Sequence, residues 1–107
     1  MKLKGLKDRK GSLNRNLKGP QLYVAYNRRL KKYYVGVTKN TFNDRYSRRD
    51  WKHHFSNAFY CDPTAFDVLC YKFKTIAGAY RMEEKLVTWV QAKSNKYYNK
   101  IPGGFNG

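Results

Sequence analysis

At 107 residues the chain has room for one domain with a modest core and leaves none for a second. Lys and Arg number 23 against 7 Asp and Glu, a net charge of +16 that an ordinary globular surface does not carry, and 10 Tyr and 6 Phe accompany it. Such charge attracts polyanions and neutralises phosphate by counterion release, while aromatic rings stack on unpaired bases or fill a core, so the expected partner is nucleic acid. No run approaches the ~18 apolar residues of a spanning helix, and no basic amphipathic stretch stands out, so no membrane partner is expected. The opening "MKLKGLKDRK" lacks the apolar core of a signal peptide, and no acyl or prenyl motif is present, which reads as a cytoplasmic chain.

Residues 1–20 place seven Lys and Arg among Gly5, Gly11 and Gly19 and end at Pro20, the composition of a flexible basic arm. Leu3, Leu6, Leu13 and Leu17 would mark a short helix forming on docking, but the glycines oppose a stable one. The folded domain is expected to run from Gln21 to Gly107. "QLYVAY" and "KYYVGV" are aromatic and β-branched runs separated by "NRRLKK", which predicts two antiparallel strands and a polar hairpin loop. Gly36 sits inside the second run, where glycine weakens a strand unless something approaches the backbone closely. Asn40 or Thr41 then caps a helix over "FNDRYSRRDWKHHF", with Phe42 and Tyr46 on one face and Arg45, Arg49 and His53 on another at i, i+4 steps.

After the break at "CDP", "AFDVLCYKFK" predicts a third strand with apolar residues on both faces, as in a strand covered on two sides. From about Ile76 to Ala92 the sequence predicts the longest helix, with Ala79, Met82, Leu86, Trp89 and Val90 on one side, followed by an irregular tail over residues 95–107. The fold class is α+β: a small three-stranded, antiparallel-type sheet flanked by helices. Cys61 and Cys70 are too few for a disulfide scaffold and lack CxxC spacing; zinc ligation with His53 and His54 is the weaker reading, small buried thiols the stronger.

Tyr23 in the first strand, "YYVGVTKNTFNDR" running from the second strand into the next helix, and "YYN" before "PGG" together resemble the GIY-YIG nuclease family. That family carries Y-x-V/I and Y-I/V-G-x-T on two strands, Arg and Glu on helices and a late Tyr-Asn, and the match runs from about Tyr23 to Gly104. The resemblance implies an endonuclease that hydrolyses DNA phosphodiester bonds, with Tyr23 positioning or deprotonating the attacking water and Tyr34 hydrogen-bonding near the same phosphate. Tyr33 and Tyr26 face the other side of the sheet. Arg45, eleven residues after Tyr34, matches the family arginine, whose guanidinium suits a bidentate clamp on the scissile phosphate. Four residues on, the family often places histidine and this chain has Arg49, so either Arg49 or His53 serves as the second helper. Gly36, Arg45, Arg48 and Arg49 are the expected nucleic-acid contacts.

The resemblance further implies one Mg²⁺, or another divalent metal such as Mn²⁺, held by a single carboxylate and waters. On a helical wheel Glu83 lies beside the apolar stripe, with Leu86 and Val87 at +3 and +4 as in the family, whereas Glu84 points mostly away, so Glu83 is the expected ligand. Asn99 matches the late asparagine, which stitches the tail to the site. Double-stranded DNA is the expected substrate, with no small-molecule cofactor, and sequence preference comes low or from a partner or homodimer. The competing reading is a non-enzymatic nucleic-acid binder, RNA- or ribosome-associated, that uses the same charge without a reactive cleft.

Overall fold

The computed structural model of the protein describes residue 6 and residues 9–90, without the side chains of 87–90; the expectations for Leu3, Asn99 and the tail lie outside these residues. Three strands, β1 (Gln21–Asn27), β2 (Lys32–Thr38) and β3 (Phe66–Lys72), form one antiparallel sheet in the order β2-β1-β3. The α+β class read from the sequence holds. "QLYVAYN" is nearly continuous in apolar residues because β1 is central and covered on both faces.

Alternation along the strands builds two cores. Leu22 and Val24 of β1, Val35 of β2 and Tyr71 of β3 face helix α3 (Ile76–Val90), which contributes Ala79 and Leu86. Tyr23 and Ala25 of β1 with Phe66, Val68 and Cys70 of β3 face the other way, under Phe42 and Phe55 from helices α1 (Phe42–Arg45) and α2 (His54–Cys61). Each fully buried side chain of this size stabilises by roughly 1.5–3 kcal/mol. Tyr26 and Tyr33 pair on the α3 side, ring centroids 4.6 Å apart, on the face the alternation assigned them. The hairpin between β1 and β2 turns on Asn27, whose Oδ1 accepts from the N–H groups of Arg29 (2.9 Å) and Leu30 (3.0 Å), and on Lys31 in the left-handed region at φ 55°.

Two expectations require correction. The single helix expected over "FNDRYSRRDWKHHF" is broken into α1 and α2. Thr41 caps α1 as expected, its Oγ1 accepting from Asp44 N–H at 2.9 Å. Beyond Arg45, however, polar side chains capture the backbone: Asp50 Oδ1 accepts from Lys52 N–H (3.0 Å), Ser56 Oγ from Asp50 N–H (2.9 Å) and His53 Nδ1 from Ser56 N–H (3.1 Å). Asp, Ser and a capping His offer the chain turns that compete with helical bonds, and their combined pull outweighs the i, i+4 pattern. Arg45, Arg49 and His53 therefore do not form one helical stripe.

The second correction concerns the arm. Its described part packs on the sheet: Leu6 is fully buried in the α3-side core, and Ser12 and Cys70 exchange both backbone hydrogen bonds at 2.8 Å. Arg15 Nη2 donates to Phe66 O at 3.0 Å, and buried Gln21 donates from Nε2 to Leu17 O and to Asn40 O. The cause is β3, an edge strand whose outward N–H and C=O groups at Cys70 need partners. Leu13 stays exposed, so only part of the leucine pattern is used. No helix among the described residues is long and apolar enough to cross a membrane.

Because Leu6 has no solvent contact, Leu6→Ala should cost about 2–5 kcal/mol, and a chain beginning at Pro20 should melt well below the full protein. A urea titration that gives both variants the wild-type midpoint would restore the tether reading of residues 1–19.

Candidate functional site

Tyr23 of β1 pairs across the sheet with Gly36 of β2, and Tyr34 pairs with Ala25, so the two phenols lie diagonally on one face with centroids 6.2 Å apart. The ring of Tyr23 occupies the space above Gly36: a Cβ at position 36 would sit 2.7 Å from Tyr23 Cε1, and nearer still to its Cζ and Oη. This is the close approach that the strand glycine signalled. It corrects the expectation of Gly36 as a nucleic-acid contact, since residue 36 is buried and what lies against it is Tyr23.

Tyr46, directly after α1, brings a third hydroxyl. Tyr23 and Tyr46 hydroxyls are hydrogen-bonded to each other, and Tyr34 bonds to Tyr46 as well. Burial pushes all three phenols above their ordinary range, and the opposing pull of the Arg45 guanidinium does not overcome it. Within the trio the hydrogen bonds raise Tyr23 and Tyr34 and lower Tyr46, and either hydroxyl of the Tyr23–Tyr46 pair can be the donor. The phenols are neutral at pH 7. Sequence reading placed Tyr46 with Phe42 on a packing face and missed its hydroxyl; the signal available was its place next to Arg45, at the end of the same helical turn as Phe42.

His53 joins the cluster from the start of α2. Its Nδ1 accepts the Ser56 N–H, which puts the proton of the neutral ring on Nε2, 3.1 Å from Tyr34 Oη. Burial first and the Arg45 charge second hold the imidazole below its ordinary value. Arg45 is exposed, its guanidinium 5.0 Å from the Tyr46 ring centroid, and its charge acts on all three phenols and on His53. Glu83 of α3 is close enough for its charge to raise Tyr34 and Tyr46. It is half-buried, with no ion-pair or hydrogen-bond partner among the described residues, and desolvation pushes its carboxyl up to about 7.

The remaining expected residues fall elsewhere. Arg49 Nε donates to Asn57 Oδ1 at 2.7 Å and its guanidinium stacks 3.9 Å over the Trp51 ring, so of the two proposed helpers His53 meets the phenols and Arg49 does not. Arg48 is exposed beside Arg49, and Glu84 is exposed. Cys70 is a buried thiol pushed up to about 11 by desolvation, but Cys61 is exposed, against the expectation of two buried thiols. Among the described residues no three His, Cys, Asp or Glu are grouped as a metal cage. No protein-family model matches the chain, and no curated protein or solved structure matches it either.

This geometry sets two expected outcomes. Gly36→Ala should destabilise by about 1–3 kcal/mol through overpacking against Tyr23, and by less in a Tyr23→Ala background. Strict additivity in that double-mutant cycle would mean the phenol is not the reason for glycine. For Glu83, a carboxyl raised from 4.5 to about 7 holds its proton in the folded state after the unfolded chain has lost it. Stability therefore falls as pH rises through that window and levels off above it. Glu83→Gln should remove this fall, so that melting temperatures measured at low and high pH separate from wild type at high pH only in the variant's favour; a gap that does not change with pH contradicts the burial argument.

Proposed function

We propose that the chain is a metal-dependent endonuclease of the GIY-YIG type that hydrolyses phosphodiester bonds in DNA. One observation carries the reading: the Tyr23, Tyr34 and Tyr46 hydroxyls and His53 share one hydrogen-bonded cluster under the charges of Arg45 and Glu83. These six groups come from five chain segments, Arg45 and Tyr46 being adjacent; Tyr23, Tyr34, Arg45 and Glu83 were expected together on the strength of the family resemblance, with His53 as one of two alternative helpers. A binder that works by charge alone has no use for a half-buried carboxylate without a cationic partner among the described residues, which is expensive to keep ionised.

Glu83 suits a divalent cation: it is a hard oxygen donor, partly desolvated, and unpaired among the described residues. Bound there, Mg²⁺ or Mn²⁺ would supply positive charge for the negative charge that develops on the phosphate and the departing oxygen. The protein's own groups do the rest. Arg45, exposed and outside the ion pairs formed by Arg28 and Arg29, clamps the non-bridging phosphate oxygens. Tyr34 takes the His53 Nε2 proton in a hydrogen bond and shares a second with the Tyr46 hydroxyl, which leaves it one position, donor or lone pair, with which to orient water. Tyr23, 1% exposed and bonded to Tyr46, acts behind the other two as a positioning group; a neutral, buried phenol is poorly suited to taking a proton from water directly.

The test is supercoiled plasmid incubated with protein and Mg²⁺, then with EDTA, expecting cleavage only in the first. Arg45→Ala should slow cleavage by ~10²-fold or more with a far smaller change in binding, and Glu83→Ala should abolish cleavage while DNA is still bound. Tyr33→Phe, on the opposite face, is the control that should keep its rate. DNA that is bound by wild type but never cut in Mg²⁺ or Mn²⁺ would leave the non-enzymatic binder as the better description.

A further inference from the structure

The end of α1 and the segment joining it to α2 form a shallow groove of about 540 Å³ lined by Arg45, Arg48, Arg49, Trp51 and Lys52, with the carboxylates of Asp44 and Asp50. Four cations face two carboxylates there, and the Asp50 carboxylate already accepts a backbone hydrogen bond from Lys52. Trp51, one of the lining residues, is 73% exposed. An indole in water is unfavourable by its apolar area, and nothing in the core requires this one to be there.

Its surroundings are nevertheless ordered. Asn57 Nδ2 donates to the Trp51 carbonyl at 2.8 Å, and the Oδ1 of the same amide accepts from Arg49 Nε at 2.7 Å. The Arg49 guanidinium so held lies 3.9 Å over the indole ring. One amide therefore fixes both the backbone that carries the tryptophan and the cation that covers one of its faces. At 73% exposure the opposite face is open to solvent. A flat apolar surface held in place, backed by a cation and flanked by Arg48 and Lys52, loses little freedom when a second flat ring settles on it, and the flanking charges suit a phosphate chain attached to that ring.

We propose that Trp51 is a stacking platform for an unpaired nucleobase adjacent to the phosphate held by Arg45, so that the substrate carries a single-stranded or extruded nucleotide at the cleavage point. In an intact duplex each base is covered on both faces by its neighbours, and an indole can reach a base face only where stacking is interrupted. Arg45 lines this groove and also acts on the phenol cluster, which ties the stacked base to the nucleotide being cut. The position of the cut rests on the nuclease reading; the stacking itself does not depend on cleavage.

Binding is measured in EDTA by fluorescence anisotropy on two labelled DNAs, an intact duplex and the same duplex with a short single-stranded gap. Wild type should prefer the gapped DNA. Trp51→Ala should weaken gapped binding by roughly ten-fold or more and intact-duplex binding by no more than about two-fold, with Trp51→Phe recovering most of the loss. Since the side chain is exposed, the melting temperature should not change. Equal losses on both DNAs, or none on the gapped one, would overturn the platform; the latter is also the result expected if the indole docks a protein. Plasmid cleavage in Mg²⁺ separates the two ideas: selective loss without any cleavage by wild type overturns the nuclease and keeps the platform, whereas cleavage without selective loss does the reverse. Wild type that binds neither DNA overturns both.

Discussion

Tyr23 projects from the central strand over Gly36, and its ring can lie there only because position 36 carries no side chain. From that placement the ring meets Phe42 edge-on at 5.0 Å and Tyr46 at 5.7 Å, and its hydroxyl bonds to that of Tyr46. The first turn of helix is thereby fixed at both ends of its buried edge. Arg45, between those two buried anchors and one residue before the second, is held at the rim of the cluster without being buried in it. A bulkier residue at 36 would displace the phenol, then the short helix, then the arginine.

The Arg45 charge opposes burial at the three phenols and reinforces it at His53. Arg45 favours ionised phenols, but desolvation dominates there and keeps them neutral; at the imidazole both effects disfavour the charged form. Neutral hydroxyls that satisfy one another form a network that can be buried at little penalty, which a set of charges could not. Arg45 is exposed and Glu83 only half-buried, so solvent or a ligand can reach both. In the proposed nuclease, reactivity would enter with the phosphate and the cation, while the protein contributes orientation.

Much of the fold was legible because β-branched and aromatic runs, and the 3.6-residue period of α3, report burial directly. The same periodicity separated half-buried Glu83 from exposed Glu84, and strand alternation separated Tyr23 and Tyr34 from Tyr26 and Tyr33. The break between α1 and α2 was not legible, since it depends on Asp50, His53 and Ser56 each finding a backbone partner in competition with an acceptable helical pattern. Tyr46 was hidden for another reason: a tyrosine at helical spacing from a phenylalanine reads as core, and it is core, with only its hydroxyl oxygen at work. The packing of residues 9–20 was obscured by composition, because lysines and glycines suggest disorder while the need of edge strand β3 for a partner appears only once the sheet exists.

One imidazole holds two positions in this molecule. His53 closes the first turn of α2 through Nδ1 and supports Tyr34 through Nε2, and it can do the first only while Nδ1 is free of a proton. Protonation in acid would uncap the helix and put a positive charge beside Arg45 in the same event. An anion seated on Arg45 would reverse part of that penalty, because it cancels the charge that now holds the imidazole down. Anion occupancy and proton uptake at His53 are therefore thermodynamically linked, and each raises the affinity for the other.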